Sequence, residues 1–134
     1  IDLPPGTGDA QLTLAQSSKL SGSIIISTPQ DVALIDARKG VNMFKKVNVP
    51  VLGFVENMSY FICDSCSKKH EIFSYGGAKR EAEKFKVDFL GELPIDKNLR
   101  IQSDEGTPAC IADPDGVIAD IFLSIAKKIH QNIN

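Results

Sequence analysis

No run of apolar residues in this 134-residue chain approaches the roughly 20 that a helix needs to cross a bilayer, and no basic-then-apolar opening marks a signal peptide. These absences predict a soluble, intracellular chain without a membrane partner, cytoplasmic or alternatively of the mitochondrial matrix. Excess charge of one sign is missing too. Fifteen Lys and Arg stand against 17 Asp and Glu, for a formal net charge of -2, and the lysines are scattered among the acids. Non-specific binding to nucleic acid requires a basic stripe, so nucleic acid is not expected as a partner. Cysteine is scarce: three residues, an odd number with no even spacing, do not make a secreted disulfide framework. Internal repeats and low-complexity tracts are absent. The length suits one compact domain, residues 1–134, rather than two, and 43% apolar residues can furnish its core.

What is present is an alternation of short β-rich runs with helical patterns, the mark of an α/β fold with a mainly parallel sheet flanked by helices. Ser23 to Ser27, with three consecutive isoleucines, reads as a strand buried on both faces. Val49 to Glu56 and Asp88 to Leu93 repeat that character, and Ile1 reads as the tail of a fourth strand. Thr28-Pro29-Gln30-Asp31 offers a cap hydroxyl, a proline for the first helical position and an acid for the first turn. A helix is predicted from there to about Lys46, with Val32, Ile35, Val41 and Phe44 as its apolar stripe. Asp113-Pro114 opens a second, C-terminal helix whose stripe of Val117, Ile118, Ile121, Phe122, Ile125 and Ile129 should pack on the sheet. Shorter helices are expected at Asp9 to Lys19, Ala78 to Lys86 and Lys97 to Ser103. The abrupt opening at Ile1, without a methionine, predicts a fragment of a longer chain.

Two stretches carry residues suited to chemistry. Asp2-Leu3-Pro4-Pro5-Gly6-Thr7-Gly8-Asp9 puts an acid at a strand end, then a loop, then a helix. Ligands of α/β sheets bind at the carboxyl ends of strands. A carboxylate there can hold Mg²⁺ through water and a glycine can bring its N–H to a phosphate, although the same residues also suit a plain turn. The second stretch is Cys63-Asp64-Ser65-Cys66, in a loop spanning about 57–75. The spacing lets both thiolates face one centre, and soft thiolates favour zinc or iron–sulfur. One pair is half a ligand shell. His70 could add a third zinc ligand, but no second close pair follows, so the remaining ligands would come from another copy of the chain. A thioredoxin-like redox pair would want its first cysteine at a helix N-terminus. Redox chemistry and two unremarkable thiols stay open beside a metal role. Cys110 reads as a small buried hydrophobe.

Asp2-Leu3-Pro4-Pro5-Gly6-Thr7-Gly8-Asp9, Ser27-Thr28-Pro29-Gln30-Asp31, Glu56-Asn57-Met58-Ser59, Cys63-Asp64-Ser65-Cys66, Phe73-Ser74-Tyr75-Gly76-Gly77-Ala78 and Leu90-Gly91-Glu92-Leu93-Pro94-Ile95-Asp96 follow one another here. Their order and spacing resemble the Mrp/ApbC family over nearly the whole chain. The resemblance implies the C-terminal part of a P-loop NTPase similar to MinD and the nitrogenase iron protein, acting as an iron–sulfur scaffold or carrier. By the same resemblance Asp2 looks like the catalytic acid that helps hold Mg²⁺ at ATP, and Gly6 like the switch glycine that senses the γ-phosphate. Asn57 is similar to the asparagine reading the adenine edge, and Pro94 to a residue lining the adenine pocket. Cys63 and Cys66 match the pair that bridges a 4Fe–4S cluster across a homodimer, for delivery to apo iron–sulfur proteins.

The family's phosphate loop has no counterpart, since no Gly-x-x-x-x-Gly-Lys-Ser/Thr occurs in the 134 residues. The resemblance therefore implies an ATPase in the intact parent and an inactive nucleotide site in this portion. The competing expectation is a MinD/ParA-like positioning ATPase with a structural zinc at the cysteine pair. Such a protein calls for a membrane-targeting tail or a basic patch, and neither is in the sequence.

Overall fold

The computed structural model describes residues 1–3, 6 and 8–133. Its centre is a three-stranded parallel sheet of β1 (Ser23–Ser27), β2 (Val51–Glu56) and β3 (Asp88–Glu92), in the order β1-β2-β3. Parallel neighbours need crossovers, and helices supply them. α1 (Asp9–Ser17) precedes the sheet, α2 (Asp31–Lys46) joins β1 to β2, and α3 (Gly77–Phe85) leads into β3. After the sheet come α4 (Lys97–Asp104), the short α5 (Ala109–Ala112) and α6 (Val117–Ile133). Between β2 and α3 lies an antiparallel hairpin, β4 (Phe61–Ile62) with β5 (Lys69–His70), paired Phe61 to His70 and Ile62 to Lys69.

The pleat divides the core. Ile25 and Phe54 face α2 and α3, where they meet Leu34, Ala37, Val41, Phe44, Ala78 and Ala82. Val55 and Leu90 face the other way, against Ile125 with Ile121, Phe122 and Ile129 of α6. Hiding a side chain the size of Phe54, which is fully buried, stabilises the fold by about 2–3 kcal/mol. The polar end of α6 is tied down as well: Lys128 Nζ donates to the Leu90 carbonyl at 2.8 Å and Asn132 Nδ2 to Asp88 Oδ2 at 2.9 Å.

Several expectations need correction. β1 is buried on one face only, with Ile24 at 38% and Ile26 at 65% exposure. The reason is reach: α6 packs chiefly on β2 and β3 and leaves Ile24 and Ile26 facing an open groove. Ile1–Leu3 form no strand. The first residue of α2 is Asp31, with extended Gln30 as the cap residue, because the Thr28 hydroxyl is hydrogen-bonded to Gln30 Oε1 at 3.1 Å instead of to a helix amide. Val32 and Ile35 lie on the outer side of α2, and the buried stripe is Leu34, Ala37, Val41 and Phe44. Val117, at 73% exposure, likewise stands off the apolar face of α6. The C-terminal helix, which begins at Val117, and the three shorter helices occupy the expected stretches to within two residues. Asp96 caps α4 by accepting the Leu99 N–H at 2.7 Å.

α2 and α3 are joined by charge. Arg38 donates from Nε and Nη2 to the two Glu81 oxygens at 2.8 and 2.9 Å, and Lys84 Nζ adds a bond of 2.7 Å. Glu81 is 2% exposed, and these bonds, Arg38's above all, draw its carboxyl down to about 2. Glu81 in the unfolded chain titrates near about 4.3, so this stabilisation is complete above that pH and is lost as the pH falls towards about 2. In acid titrations followed by circular dichroism, Glu81→Gln should lose stability at neutral pH and show a flatter decline below about pH 4. An unchanged acid limb would remove Glu81 from the account. The entry to α3 allows a second test, since a Cβ on Gly77 would lie 2.7 Å from the Pro29 carbonyl oxygen and 2.8 Å from Leu34 Cδ1. Gly77→Ala should destabilise by about 1–3 kcal/mol in urea unfolding, the usual cost of overpacking.

Candidate functional site

The carboxyl ends of the three strands carry polar residues that an apolar sheet would exclude without partners. Glu56, the last residue of β2, is fully buried. Its Oε1 accepts the Ser59 hydroxyl at 2.6 Å and the Gly76 N–H at 2.9 Å, while Oε2 accepts the Ala78 N–H at 2.7 Å. The carboxylate thus sits at the N-terminus of α3, where free N–H groups and the helix dipole favour an anion. Gly76 adopts φ +70, a left-handed conformation that glycine takes at little cost, and so turns its amide towards Glu56. Ser59 in turn stands 3.4 Å from Glu92 Oε2 at the end of β3.

Asn57 and Pro94 lie on these neighbouring strand tips. The Asn57 N–H donates to the Ser27 carbonyl at 2.8 Å, and Asn57 Oδ1 accepts the Met58 N–H at 2.9 Å, which supports the left-handed φ of +55 at Met58. Leu93 and Ile95, which flank Pro94, donate to the carbonyls of Glu56 and Tyr60 at 2.8 and 2.7 Å. Asn57 and Pro94 are both half-buried. Asp2 and Gly6 are elsewhere. They line a groove of about 670 Å³ along β1, walled by Ile1, Ile24, Ile26, Leu52 and Ile129. Gly6 has φ +100 and is exposed, as is Asp2. Pro4, Pro5 and Thr7 of the same loop fall outside the described residues.

The cysteines occupy the turn of the β4–β5 hairpin. The Cys63 N–H donates to the Lys68 carbonyl at 3.0 Å and the Ser67 N–H to the Cys63 carbonyl at 2.8 Å, closing the turn with Ser67 at φ +57. Both thiols are free, Cys63 half-buried and Cys66 exposed. Hydrogen bonds to the Cys63 sulfur from the Ser65 backbone, then from the Cys66 backbone and thiol, hold its pKa below the usual value. Cys110, in α5, is half-buried rather than enclosed. Among the described residues no three of His, Cys, Asp and Glu converge as a metal site. His70 therefore does not complete the pair, and its ring packs instead against Phe61 with centroids 6.4 Å apart.

Sequence reasoning missed the residues that carry the hairpin. Lys69 Nζ lies over the rings of Tyr60 and Tyr75, 4.1 and 4.3 Å from their centroids, and 3.9 Å from Glu92 Oε1. Tyr75 Oη donates to that oxygen at 3.2 Å, and this bond holds the phenol above its usual pKa. One signal was available in the sequence: a glutamate ending the otherwise apolar run Val51-Leu52-Gly53-Phe54-Val55.

A family model described as ParA, NUBPL iron-transfer P-loop NTPase, matches residues 1–130. The iron-sulfur cluster carrier protein of Aquifex aeolicus is 50% identical over 131 residues, which are 98% of this chain and 36% of that protein. A nucleotide-binding protein of Archaeoglobus fulgidus, solved in complex with ADP and with cobalt found in it, superposes with a TM-score of 0.70 at 45% identity, over 79% of this chain and 44% of that one. The cell division ATPase MinD of Pyrococcus furiosus, at 24% identity and a TM-score of 0.64 over 83% of this chain and 43% of its own, shares the fold. The chain thus spans less than half the length of each.

The hydrogen bonds at Cys63 have a direct consequence. Its alkylation by iodoacetamide, followed site by site by mass spectrometry against pH, should show a midpoint below the ordinary thiol value of about 8.5. The Ser65 and Cys66 amides remain in Cys66→Ala, so that variant should keep a lowered midpoint. A midpoint returning to the ordinary value in Cys66→Ala would mean that the turn amides do not act on the sulfur.

Proposed function

From a chain that belongs to the NUBPL iron-transfer family of P-loop NTPases, we propose a protein that carries iron–sulfur clusters as cargo, bound through Cys63 and Cys66. The observation that carries this reading is the hairpin turn itself. It presents two free thiols, one exposed and one half-buried, with no third ligand converging on them among the described residues. Thiolate sulfur is the ligand iron–sulfur clusters take, and a 4Fe–4S cluster takes four. Two chains meeting at their hairpins across a two-fold axis supply that number. Apo iron–sulfur proteins are the recipients in this reading. The relative's name, iron-sulfur cluster carrier protein, supports the same cargo.

Nucleotide enters the proposal as the control of loading or release in the intact protein. Asn57 and Pro94, adjacent at the tips of the sheet, suit an adenine ring: the Asn57 amide keeps its NH₂ donors free of the bond that its oxygen makes to Met58. Asp2 would act on Mg²⁺ and Gly6 on the γ-phosphate. The ADP complex of the Archaeoglobus protein accords with that part. Reaction at the phosphates requires a phosphate loop, which these 134 residues do not contain.

Anaerobic reconstitution with iron and sulfide tests the cargo. The chain should take up about two irons, four per dimer, and dimerise as it loads. Cys63→Ser and Cys66→Ser should each abolish both events, since a hydroxyl is a far poorer ligand for iron, while Cys110→Ser should alter neither. A cluster held by a monomer, or one that survives Cys63→Ser but not Cys110→Ser, would overturn the shared site. A colourless protein that takes zinc alone would support the positioning ATPase instead.

A further inference from the structure

We propose that Lys69 is a positioning residue, a latch that fixes the cysteine hairpin to the end of the main sheet; its bearing on cargo rests on the carrier reading above. Two strands of two residues each do not form a stable hairpin in water, so the orientation of Cys63 and Cys66 must come from what the hairpin is fastened to. Its first arm is fastened by backbone, through the Phe61–Ile95 bridge and the Ile95 N–H donated to the Tyr60 carbonyl at 2.7 Å. Among the described residues its second arm, β5, has no strand beyond it. Lys69 takes that place. Its ammonium group lies between the ring of Tyr60, before the first arm, and the ring of Tyr75, after the second, and reaches Glu92 on the main sheet. One cation thereby joins the hairpin's entrance, its exit and the strand tip. The ligand turn begins one residue away, where the Lys68 carbonyl accepts the Cys63 N–H. Ligands whose supports are locked hold a metal centre longer than ligands on a free loop.

The Lys69 side chain is 43% exposed, and two readouts separate a latch from a solvated charge. In the apo chain, hydrogen exchange over residues 60–71 should be about tenfold faster in Lys69→Met, close to wild type in Lys69→Arg, and unchanged in β2 and α3. In the reconstituted protein, Lys69→Met should load the same iron as wild type but surrender it to a chelator about tenfold faster, with Lys69→Arg restoring the rate. Hairpin exchange equal to wild type in Lys69→Met would overturn the latch, and so would acceleration spread evenly over β2 and α3. Faster hairpin exchange with wild-type iron release would overturn its bearing on the cargo. If wild type itself takes up no iron, the carrier reading falls, and amide exchange alone still decides whether Lys69 holds the hairpin.

Discussion

The buried carboxylate of Glu56 is the constraint on which the rest of the site depends. An unpartnered carboxylate inside an apolar sheet would cost several kcal/mol, and here three donors converge on it from segments far apart in sequence. Ser59 comes from the turn that follows β2, while Gly76 and Ala78 come from the start of α3. Everything between those two points, the cysteine hairpin included, is a loop whose two ends are tied to one side chain. Burial makes the tie demanding in geometry, because removal of any donor leaves a lone pair with no water to take its place.

From that point order spreads along the sheet end. Ser59, which donates to Glu56, stands beside Glu92, Glu92 draws in Tyr75 and Lys69, and Lys69 draws in Tyr60. The adenine-side candidates Asn57 and Pro94 occupy the same strand tips by backbone hydrogen bonding, one residue after Glu56 and two after Glu92. The cysteine hairpin and the strand tips that carry Asn57 and Pro94 are therefore joined by one set of contacts. The groove along β1 is a different environment, walled by isoleucine and leucine, with Asp2 and Gly6 at its margin.

How much of this was legible depended on the range of the interaction. Most helix and strand positions follow from local spacing, and the C-terminal helix and the three shorter helices lie in the stretches that spacing marks. The cysteine pair was legible because its spacing is itself the chemistry. Burial was less so. Three consecutive isoleucines look the same whether one face or two is covered, and the covering of β1 depends on where α6 ends its reach across the sheet. Val32 and Ile35 face outward for a related reason: on α2 an apolar side chain is as compatible with the outer side as with the inner until the sheet is in place.

The sequence by itself determined the α/β class, the parallel strands, the loop that bears two thiols and the lack of a phosphate loop in these residues. These are properties of neighbours along the chain, where hydrogen bonding repeats over a few residues and side-chain periodicity records it. Tertiary structure alone decided that Glu56 caps a helix 20 residues away, that Arg38 meets Glu81 43 residues away and that Lys69 stands between two tyrosines beside Glu92. Glu56 and Glu81 are acidic side chains removed from water and met by partners at long range, whereas Lys69 keeps contact with solvent. No pattern of spacing encodes such a pair, because its partner is chosen by the packing of the sheet and helices that bring the two residues together.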